Sequence, residues 1–348
     1  METMAIKKVL ITGSAGYIGS VLAPVLESKD YHVIGLDTLF FKNALLNKKR
    51  AHRLFKKDIR KISIKDLEGI DAIIHLAALS NDAMGEIKKE ITRDINHNAT
   101  VRLAKMAKKA GVKRFIFSSS CSIYGISKKG VVNEESFPNP LTAYAKSKIL
   151  SEKALQKLAD KNFTVALLRN ATVYGFSPCF RDDLVVNNLT ACGMTLGEIR
   201  IKSDGTPWRP LIDVRDLSKI MMLFLEIPSQ KINGKIINIG KNENNFQIRK
   251  ILELIHKQLP ACKIIYTGEH GADTRSYQVN FDKFQALFPQ FKLNWDLEKS
   301  IADLIDNLKK NNYTKRHFLT GKYTRLVTLN KMLKKGNLTD TLFWQNER

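Results

Sequence analysis

The chain has 348 residues, of which 44% are hydrophobic and 26% charged, a composition typical of a globular protein that can bury a sizeable core. No apolar run approaches the roughly 18 residues that a membrane span needs. The opening METMAIKKVL leads into a strand pattern and lacks the regions of a signal peptide. We therefore expect a cytoplasmic protein with no membrane contact. The formal net charge of +23 raises the question of nucleic-acid binding, but the lysines are spread over nearly every segment without an accompanying motif, which favours a solvated surface and no nucleic-acid partner.

Short apolar runs alternate with helical patterns through the first half of the chain. Strands are predicted at 7–12, 32–37, 53–58, 72–78, 114–120 and 164–169, and amphipathic helices at 90–110 and 142–160. This alternation is typical of βαβ units. It predicts an α/β fold: a Rossmann-type doubly wound parallel sheet with helices on both faces.

After about residue 175 the regular alternation of strand and helix patterns gives way to turn-rich loops that contain aromatic residues. A helix is predicted at 214–226, a strand at 235–239 and helices near 247–258 and 297–309. We therefore expect a first domain at 1–175 completed by about 212–240, a smaller C-terminal α/β lobe at 176–211 and 241–312, and a helical tail at 313–348. The four cysteines form no CxxC pair, which supports neither a disulfide framework nor a metal site.

Three glycines lie between the first strand and the first helix, in TGSAGYIG. In a dinucleotide-binding turn, Gly13 permits the tight turn, Gly16 lets the backbone approach a pyrophosphate, and Gly19 allows close helix–strand packing. The helix N-terminus then offers free N–H groups to the anion. Tyr17 and Ile18 lie within this turn and are predicted to contact the same ligand; the alternative is a glycine-tolerant loop.

The ends of the next strands carry side chains that suit the rest of a dinucleotide. Asp37 follows the first glycine by 24 positions, near the offset at which an acid meets the adenosine ribose. Its carboxylate would repel a 2′-phosphate, which favours NAD over NADP as the cofactor. Asp58 and Ile59 are placed to touch adenine, and Ala77 and Ala78 are small enough for close passage of the cofactor. The alternatives are solvated strand-end acids and small core residues.

A tyrosine and a lysine share one face of the helix predicted at 142–160. Tyr144 and Lys148 are spaced i, i+4 in AYAKSK, so the ammonium can stabilise a phenolate and lower the tyrosine pKa toward the operating range. Ser120 ends a strand where parallel sheets present ligand-contacting groups. A lone YxxxK is more often surface decoration, but the glycine turn and the serine favour a catalytic site.

In this order and spacing, TGSAGYIGS, HLAA, FSSSCSIYG and YAKSK resemble the extended short-chain dehydrogenase/reductase family over roughly residues 6–310, and among its members the UDP-glucose 4-epimerases. The resemblance implies that Tyr144 is the acid/base, that Lys148 binds the nicotinamide ribose and tunes Tyr144, and that Ser120 hydrogen-bonds the reacting sugar hydroxyl. Asn96 matches an asparagine beside the cofactor.

The resemblance also implies a site for a nucleotide-diphosphate sugar in the C-terminal lobe. Asn188 would lie near the diphosphate, and Arg209 and Arg275 match phosphate-binding arginines; the alternative is exposed surface arginines. Thr172 stands where the epimerases carry a sugar-contacting asparagine, and Ser80 replaces a cofactor-contacting lysine.

These residues predict an NAD-dependent nucleotide-sugar 4-epimerase that works through a 4-keto intermediate. The nearest alternative is an NAD(P)H-dependent nucleotide-4-keto-sugar reductase, and a more distant one is a non-catalytic NAD-binding or RNA-binding scaffold. Family dehydratases carry Asp-Glu after the catalytic hydroxyl residue, where this chain has Cys121 and Ser122, which disfavours 4,6-dehydration. The resemblance further implies a homodimer formed through helices 90–110 and 142–160.

Overall fold

The computed structural model describes residues 6–46, 52–267 and 276–345. The strands are β1 (Lys8–Thr12), β2 (His32–Asp37), β3 (Arg53–Lys56), β4 (Ala72–His75), β5 (Arg114–Ser120), β6 (Ile126–Val132), β7 (Thr164–Asn170), β8 (Thr172–Tyr174), β9 (Glu198–Ile201), β10 (Trp208–Asp213), β11 (Lys235–Ile239), β12 (Asn245–Gln247), β13 (Lys263–Tyr266) and β14 (Ser276–Val279). The helices are α1 (Gly19–Glu27), α2 (Asp82–Gly85), α3 (Lys89–Arg93), α4 (Ala99–Lys109), α5 (Ala143–Gln156), α6 (Val185–Leu196), α7 (Val214–Glu226), α8 (Ser229–Ile232), α9 (Ile248–Gln258), α10 (Asp282–Leu287), α11 (Leu297–Lys310), α12 (Lys315–Leu319) and α13 (Arg325–Lys334).

Seven strands form the main sheet in the order β11-β7-β5-β4-β1-β2-β3, and every neighbouring pair is parallel. The order runs outward in both directions from β1 and β4, which is the doubly wound arrangement. The predicted α/β fold is therefore confirmed. The helix predicted at 90–110 is present as α3 and α4 joined by a π-helical turn at Asp94–Asn98.

Alternating side chains of the central strands build a core on each face of the main sheet. Val9 and Ile11 of β1 point to the face covered by α1 and α7, whereas Leu10 points to the face covered by α4 and α5. Both sets are fully or nearly fully buried. Because successive strand residues face opposite sides, a sheet covered on both faces needs the continuous apolar runs seen in the sequence.

A smaller set of elements lies C-terminal to β7. Strands β8, β10 and β12 form a three-stranded sheet, and β9 pairs with β13. Helices α6, α9 and α11 pack over these strands around a separate apolar cluster. Among the described residues, no helix combines the length and the apolar character that crossing a membrane requires.

Residues 313–345, called here the C-terminal segment, pack against the body of the protein. Leu329, Leu338 and Leu342 are buried in the core on the α4 side of the main sheet, and Tyr313 and Tyr323 pack around Phe180. The segment contains α12, α13 and a short antiparallel bridge between Leu338 and Trp344. The predicted tail is thus an integral part of the fold.

Candidate active site

A cavity of about 710 Å³ opens at the carboxyl edge of the main sheet. Its wall includes the residues that follow β1, β2, β4, β5 and β7, together with side chains from α5, α6 and β10. This is where open parallel sheets bind ligands, because the chain crosses between faces there and leaves a crevice. The cavity brings together most of the predicted site residues: Gly13, Gly16, Tyr17, Ile18, Gly19, Asp37, Asp58, Ile59, Ala77, Ala78, Ser120, Tyr144, Lys148, Thr172, Asn188 and Arg209.

The glycine turn has the backbone geometry that a phosphate cradle requires. Gly13 has φ of +75°, and a Cβ atom there would lie 2.8 Å from the backbone nitrogen of Ala77. At Gly19, a Cβ atom would lie 2.6 Å from the Cα of Ser14. Only glycine fits at either position, and the first turn of α1 consequently lies against the loop that leads into it. The turn therefore fits the diphosphate of a dinucleotide.

Asp37 and Asp58 lie at the predicted adenosine end of the cavity. The Asp37 carboxylate accepts hydrogen bonds from the backbone N–H of Ala15 (3.1 Å) and of Leu39 (2.7 Å), which fixes it beside the glycine turn. Asp58 is held by Arg60, whose Nη2 lies 2.8 Å from Oδ2. A carboxylate fixed at the end of β2 suits ribose hydroxyls and disfavours a 2′-phosphate.

Tyr144 and Lys148 lie on one face of α5, as their spacing predicts. The helix begins at Ala143, because the Thr142 hydroxyl accepts a hydrogen bond from the backbone N–H of Ala145 (3.2 Å) and caps it. Lys148 Nζ is 5.6 Å from the centre of the Tyr144 ring. Both side chains line the cavity.

Lys148 is almost completely buried, with 4% of its surface exposed. Its Nζ donates a hydrogen bond to the backbone oxygen of Ser118 (2.7 Å) and lies 4.7 Å from the centre of the Phe117 ring. Burial lowers the pKa of Lys148 to about 8, and the charge of Glu152 opposes this shift. The lysine is thus held in one position at the cavity wall.

Two polar atoms near Ser120 in the cavity wall have no hydrogen-bond partner among the described residues. The Ser120 hydroxyl caps the following turn by accepting from the backbone N–H of Ser122 (3.1 Å). Ser122 Oγ and Asn170 Oδ1 are buried and have no hydrogen-bond partner among the described residues, and both residues line the cavity. Since buried polar atoms are normally paired, this end of the cavity suits a ligand rich in hydroxyl groups.

The described residues that are predicted to contact substrate also line the cavity. Thr172 lies at the start of β8, and Asn188 on α6 donates through Nδ2 to the backbone oxygen of Asp182 (2.7 Å). Arg209 is 8% exposed, and its Nη1 donates to the backbone oxygen of Trp208 (2.9 Å). Arg275 lies outside the described residues.

Asn96 is the one described residue of the predicted set that does not line the cavity. Its side chain is 1% exposed and bonds to both the N–H and the C=O of Leu79 (2.8 and 3.1 Å). Its amide also donates to Ser147 Oγ (3.2 Å). Asn96 thus braces the loop after β4 against α5 from behind the cavity wall, and its place beside the cofactor stays a prediction.

Several cavity residues were not predicted as site residues. Asn170 ends β7 at the same sheet edge as Ser120, so its position after a predicted strand was the signal that could have found it. Arg181 and Asp183 come from the loop between β8 and α6, and Arg325 from the C-terminal segment. Nothing in the local sequence pattern marks these three.

Comparison with known proteins agrees with this geometry. The sequence profile of the NAD dependent epimerase/dehydratase family matches residues 9–240. The chain belongs to this family. The family confirms the resemblance to extended short-chain dehydrogenase/reductases and the prediction of NAD as the cofactor, and it makes the protein an enzyme of the epimerase/dehydratase class.

Individual relatives of this family member include both epimerases and dehydratases. The UDP-glucose 4-epimerase of Bacillus subtilis (strain 168) is 31% identical over 67% of this chain and 76% of its own length. The dTDP-D-glucose 4,6-dehydratase of Mus musculus is 25% identical over 88% of this chain and 89% of its own length. Among solved structures, MoeE5 in complex with UDP-glucuronic acid and NAD is 27% identical, with a TM-score of 0.76 over 87% of this chain and 99% of MoeE5.

Proposed function

We propose that this protein is an NAD-dependent nucleotide-sugar 4-epimerase that works through a 4-keto intermediate. The observation that carries the proposal is the meeting of Tyr144, Lys148 and Ser120 with the glycine turn in one cavity. The cavity volume of about 710 Å³ lies in the range usual for ligand-binding pockets. One part of the cavity wall carries the glycine turn and Asp37, which suit NAD. Another part carries Ser120, Ser122 and Asn170, which suit the hydroxyl groups of a nucleotide sugar.

The residues of the main sheet would hold the cofactor. The glycine turn would take its diphosphate, Asp37 its adenosine ribose, and Lys148 the nicotinamide ribose. When bound, NAD supplies reversible hydride transfer, the redox chemistry that inversion at a sugar hydroxyl carbon requires. The cavity-lining residues of this chain then have to orient the sugar and move one proton.

Tyr144 is the group that moves this proton. In the proposed reaction its phenolate removes the proton from the C4 hydroxyl and later returns it, and Ser120 orients the hydroxyl by hydrogen bonding. The Lys148 ammonium keeps the phenolate accessible near neutral pH, since a free tyrosine titrates near pH 10. Rotation of the keto sugar about its diphosphate link would present the other face for return of the hydride.

The residues after Ser120 favour epimerisation over dehydration. Removal of water across C5 and C6 needs an acid and a base beyond the tyrosine. Cys121 is 1% exposed, its thiol donates to the backbone oxygen of Arg169 (3.2 Å), and burial raises its pKa. Ser122 lines the cavity but its hydroxyl has no ordinary acid–base role near neutral pH. A ketoreductase that uses the same triad is the second candidate.

The decisive experiment is incubation of the purified protein with UDP-glucose, UDP-galactose, their N-acetyl forms and UDP-glucuronate, and then with TDP-, GDP- and CDP-hexoses, followed by NMR. We expect interconversion of one C4-epimeric pair without consumption of added NADH. Tyr144→Phe should lower the rate by about 10²-fold or more while NAD still binds. Stoichiometric oxidation of NADH with a 4-keto sugar would instead identify a reductase, and inactivity on every UDP-, TDP-, GDP- and CDP-hexose would refute the proposal.

A further inference from the structure

Two buried arginines line the cavity without full hydrogen bonding. Arg181 lies in the loop before α6, and Arg325 is the first residue of α13 in the C-terminal segment. They are 5% and 2% exposed. A buried guanidinium group normally has acceptors for its donors, so any donor without one needs a physical account.

Arg181 is held by two of its three nitrogen atoms. Nε donates to Asp183 Oδ1 (2.8 Å) and Nη1 donates to Ser80 Oγ (3.1 Å). Nη2 is buried and has no acceptor among the described residues. Burial opposes the charge, but Asp183 raises the pKa of Arg181 above its ordinary value, so the group stays cationic.

Arg325 is also held in place by hydrogen bonds and by packing against an aromatic ring. Its Nη2 donates to the backbone oxygen of Cys179 (2.9 Å), and its guanidinium carbon lies 4.4 Å from the centre of the Phe41 ring. Its backbone N–H donates to Asp183 Oδ2 (3.2 Å). Nη1 is buried with no acceptor in the part of the chain that the structure describes.

The local charge favours an anion in this part of the cavity. Burial raises the pKa of Asp183, but Arg181 and Arg325 together bring it below its ordinary value, so one carboxylate lies near two guanidinium groups. The neighbouring Asp182 accepts hydrogen bonds from Tyr313 (2.9 Å) and Thr324 (2.7 Å) and is not part of the cavity wall.

We propose that Arg181 and Arg325 form a diphosphate-binding subsite. This inference rests on the proposed function only because it requires that a dinucleotide or a nucleotide sugar binds in this cavity. Planar guanidinium groups with free donors suit phosphate oxygens. Ser80, which accepts from Arg181, stands where the family resemblance implies a cofactor-contacting lysine. Arg181 thus brings a cation to that position, and on this correspondence we take the coenzyme diphosphate as the ligand.

The C-terminal segment makes this subsite depend on residues distant in sequence. Trp344 Nε1 donates to the backbone oxygen of Thr38 (2.7 Å), and Arg60 Nη1 donates to the backbone oxygen of Thr341 (2.8 Å). These contacts secure the segment at the predicted adenosine end, beside Asp37 and Asp58. The segment therefore delivers Arg325 to the cavity wall.

Calorimetric titration of the full-length, nucleotide-free protein tests the subsite without requiring turnover. The probes are ADP-ribose and UDP, which carry a diphosphate, and adenosine and uridine, which do not. We expect Arg325→Gln and Arg181→Gln each to weaken ADP-ribose binding about 10-fold or more, with little change for adenosine. Lys331→Gln is the matched control, because Lys331 lies on the same helix, is exposed and donates only to Thr320 (2.7 Å) among the described contacts.

Each outcome of the titration has one meaning. Loss of UDP binding in place of ADP-ribose binding would support the subsite but assign it to the nucleotide sugar. Equal losses for ADP-ribose and adenosine, or no loss for either diphosphate, would overturn it. If Arg325→Gln melts at a much lower temperature than wild type, the decision passes to Arg181→Gln. An inactive epimerase assay would leave these results unaffected.

Discussion

At the scale of single residues, Lys148 carries the clearest consequence for pH. Its pKa of about 8 arises from burial, and the proposed chemistry needs its protonated form. We therefore expect kcat to fall as pH rises through about 8, and Lys148→Arg to be slower but to lose this alkaline fall, because a guanidinium stays protonated. A pH–rate profile measured on both proteins checks this. A wild-type profile that is flat to pH 10 would contradict it.

The same shift has a defined sign for stability. Because the folded-state pKa lies below the ordinary 10.5, the folded protein binds fewer protons than the unfolded chain between about pH 8 and 10.5. The Lys148 contribution to the free energy of unfolding therefore increases with pH across that window. It does not change below pH 8, where both states are protonated.

Gly19 offers a second prediction at this scale. A methyl group there would lie 2.6 Å from the Cα of Ser14, so α1 must move away from the phosphate cradle. We expect Gly19→Ala to retain about 10-fold less NAD or worse, measured as NAD released per chain on denaturation. Gly111→Ala is the control: its φ of +82° makes alanine strained there, but no atom lies within 4 Å of the added carbon. Gly111 does not line the cavity, so the NAD content per folded chain should match wild type.

At the scale of elements, a buried ion pair joins α5 to β7 behind the catalytic face. Arg169 Nη2 lies 2.8 Å from Glu152 Oε2, and both side chains are almost fully buried. Glu152 also accepts a hydrogen bond from Ser119, the residue before Ser120. The pair thus fixes the helix that carries Tyr144 and Lys148 against the strand end that carries Ser120.

Breaking this pair should be costly because it leaves a buried charge unpaired. We expect Glu152→Gln to lower the free energy of unfolding by about 3–5 kcal/mol, measured by urea titration. Lys108→Gln is the control, since Lys108 pairs with Asp160 at the surface and should change stability far less. Equal effects of the two substitutions would show that the buried pair has no special role.

At the scale of the whole molecule, the homodimer implied by family resemblance remains a prediction. Leu150 on α5 is 41% exposed, an apolar side chain on one of the two helices expected at the interface. We expect two chains per particle by light scattering, and Leu150→Asp to shift the mass toward one chain. Leu319→Asp removes an exposed leucine on α12 instead, 64% exposed in the described structure, and should leave the mass unchanged. A wild-type mass of one chain would refute the prediction.

Local sequence pattern was enough to predict the elements of the main sheet and several residues of the site. Apolar runs identified the strands of the main sheet, and the positions just after those runs identified the glycine turn, Asp37 and Ser120, because parallel strands end at one edge. The i, i+4 spacing placed Tyr144 and Lys148 on one helix face. The division into domains follows the same logic and stays a prediction.

Which residues distant in sequence share the cavity depends on how the elements pack together. Arg325 reaches Cys179 across 146 positions of sequence, and no periodicity or spacing encodes such a contact. Packing also decides the partners of Asn96, whose amide bonds to Leu79 and Ser147 and does not line the cavity. Local propensity determines elements, but burial of apolar surface determines which elements meet, and that choice brings the C-terminal segment to the wall of the active site.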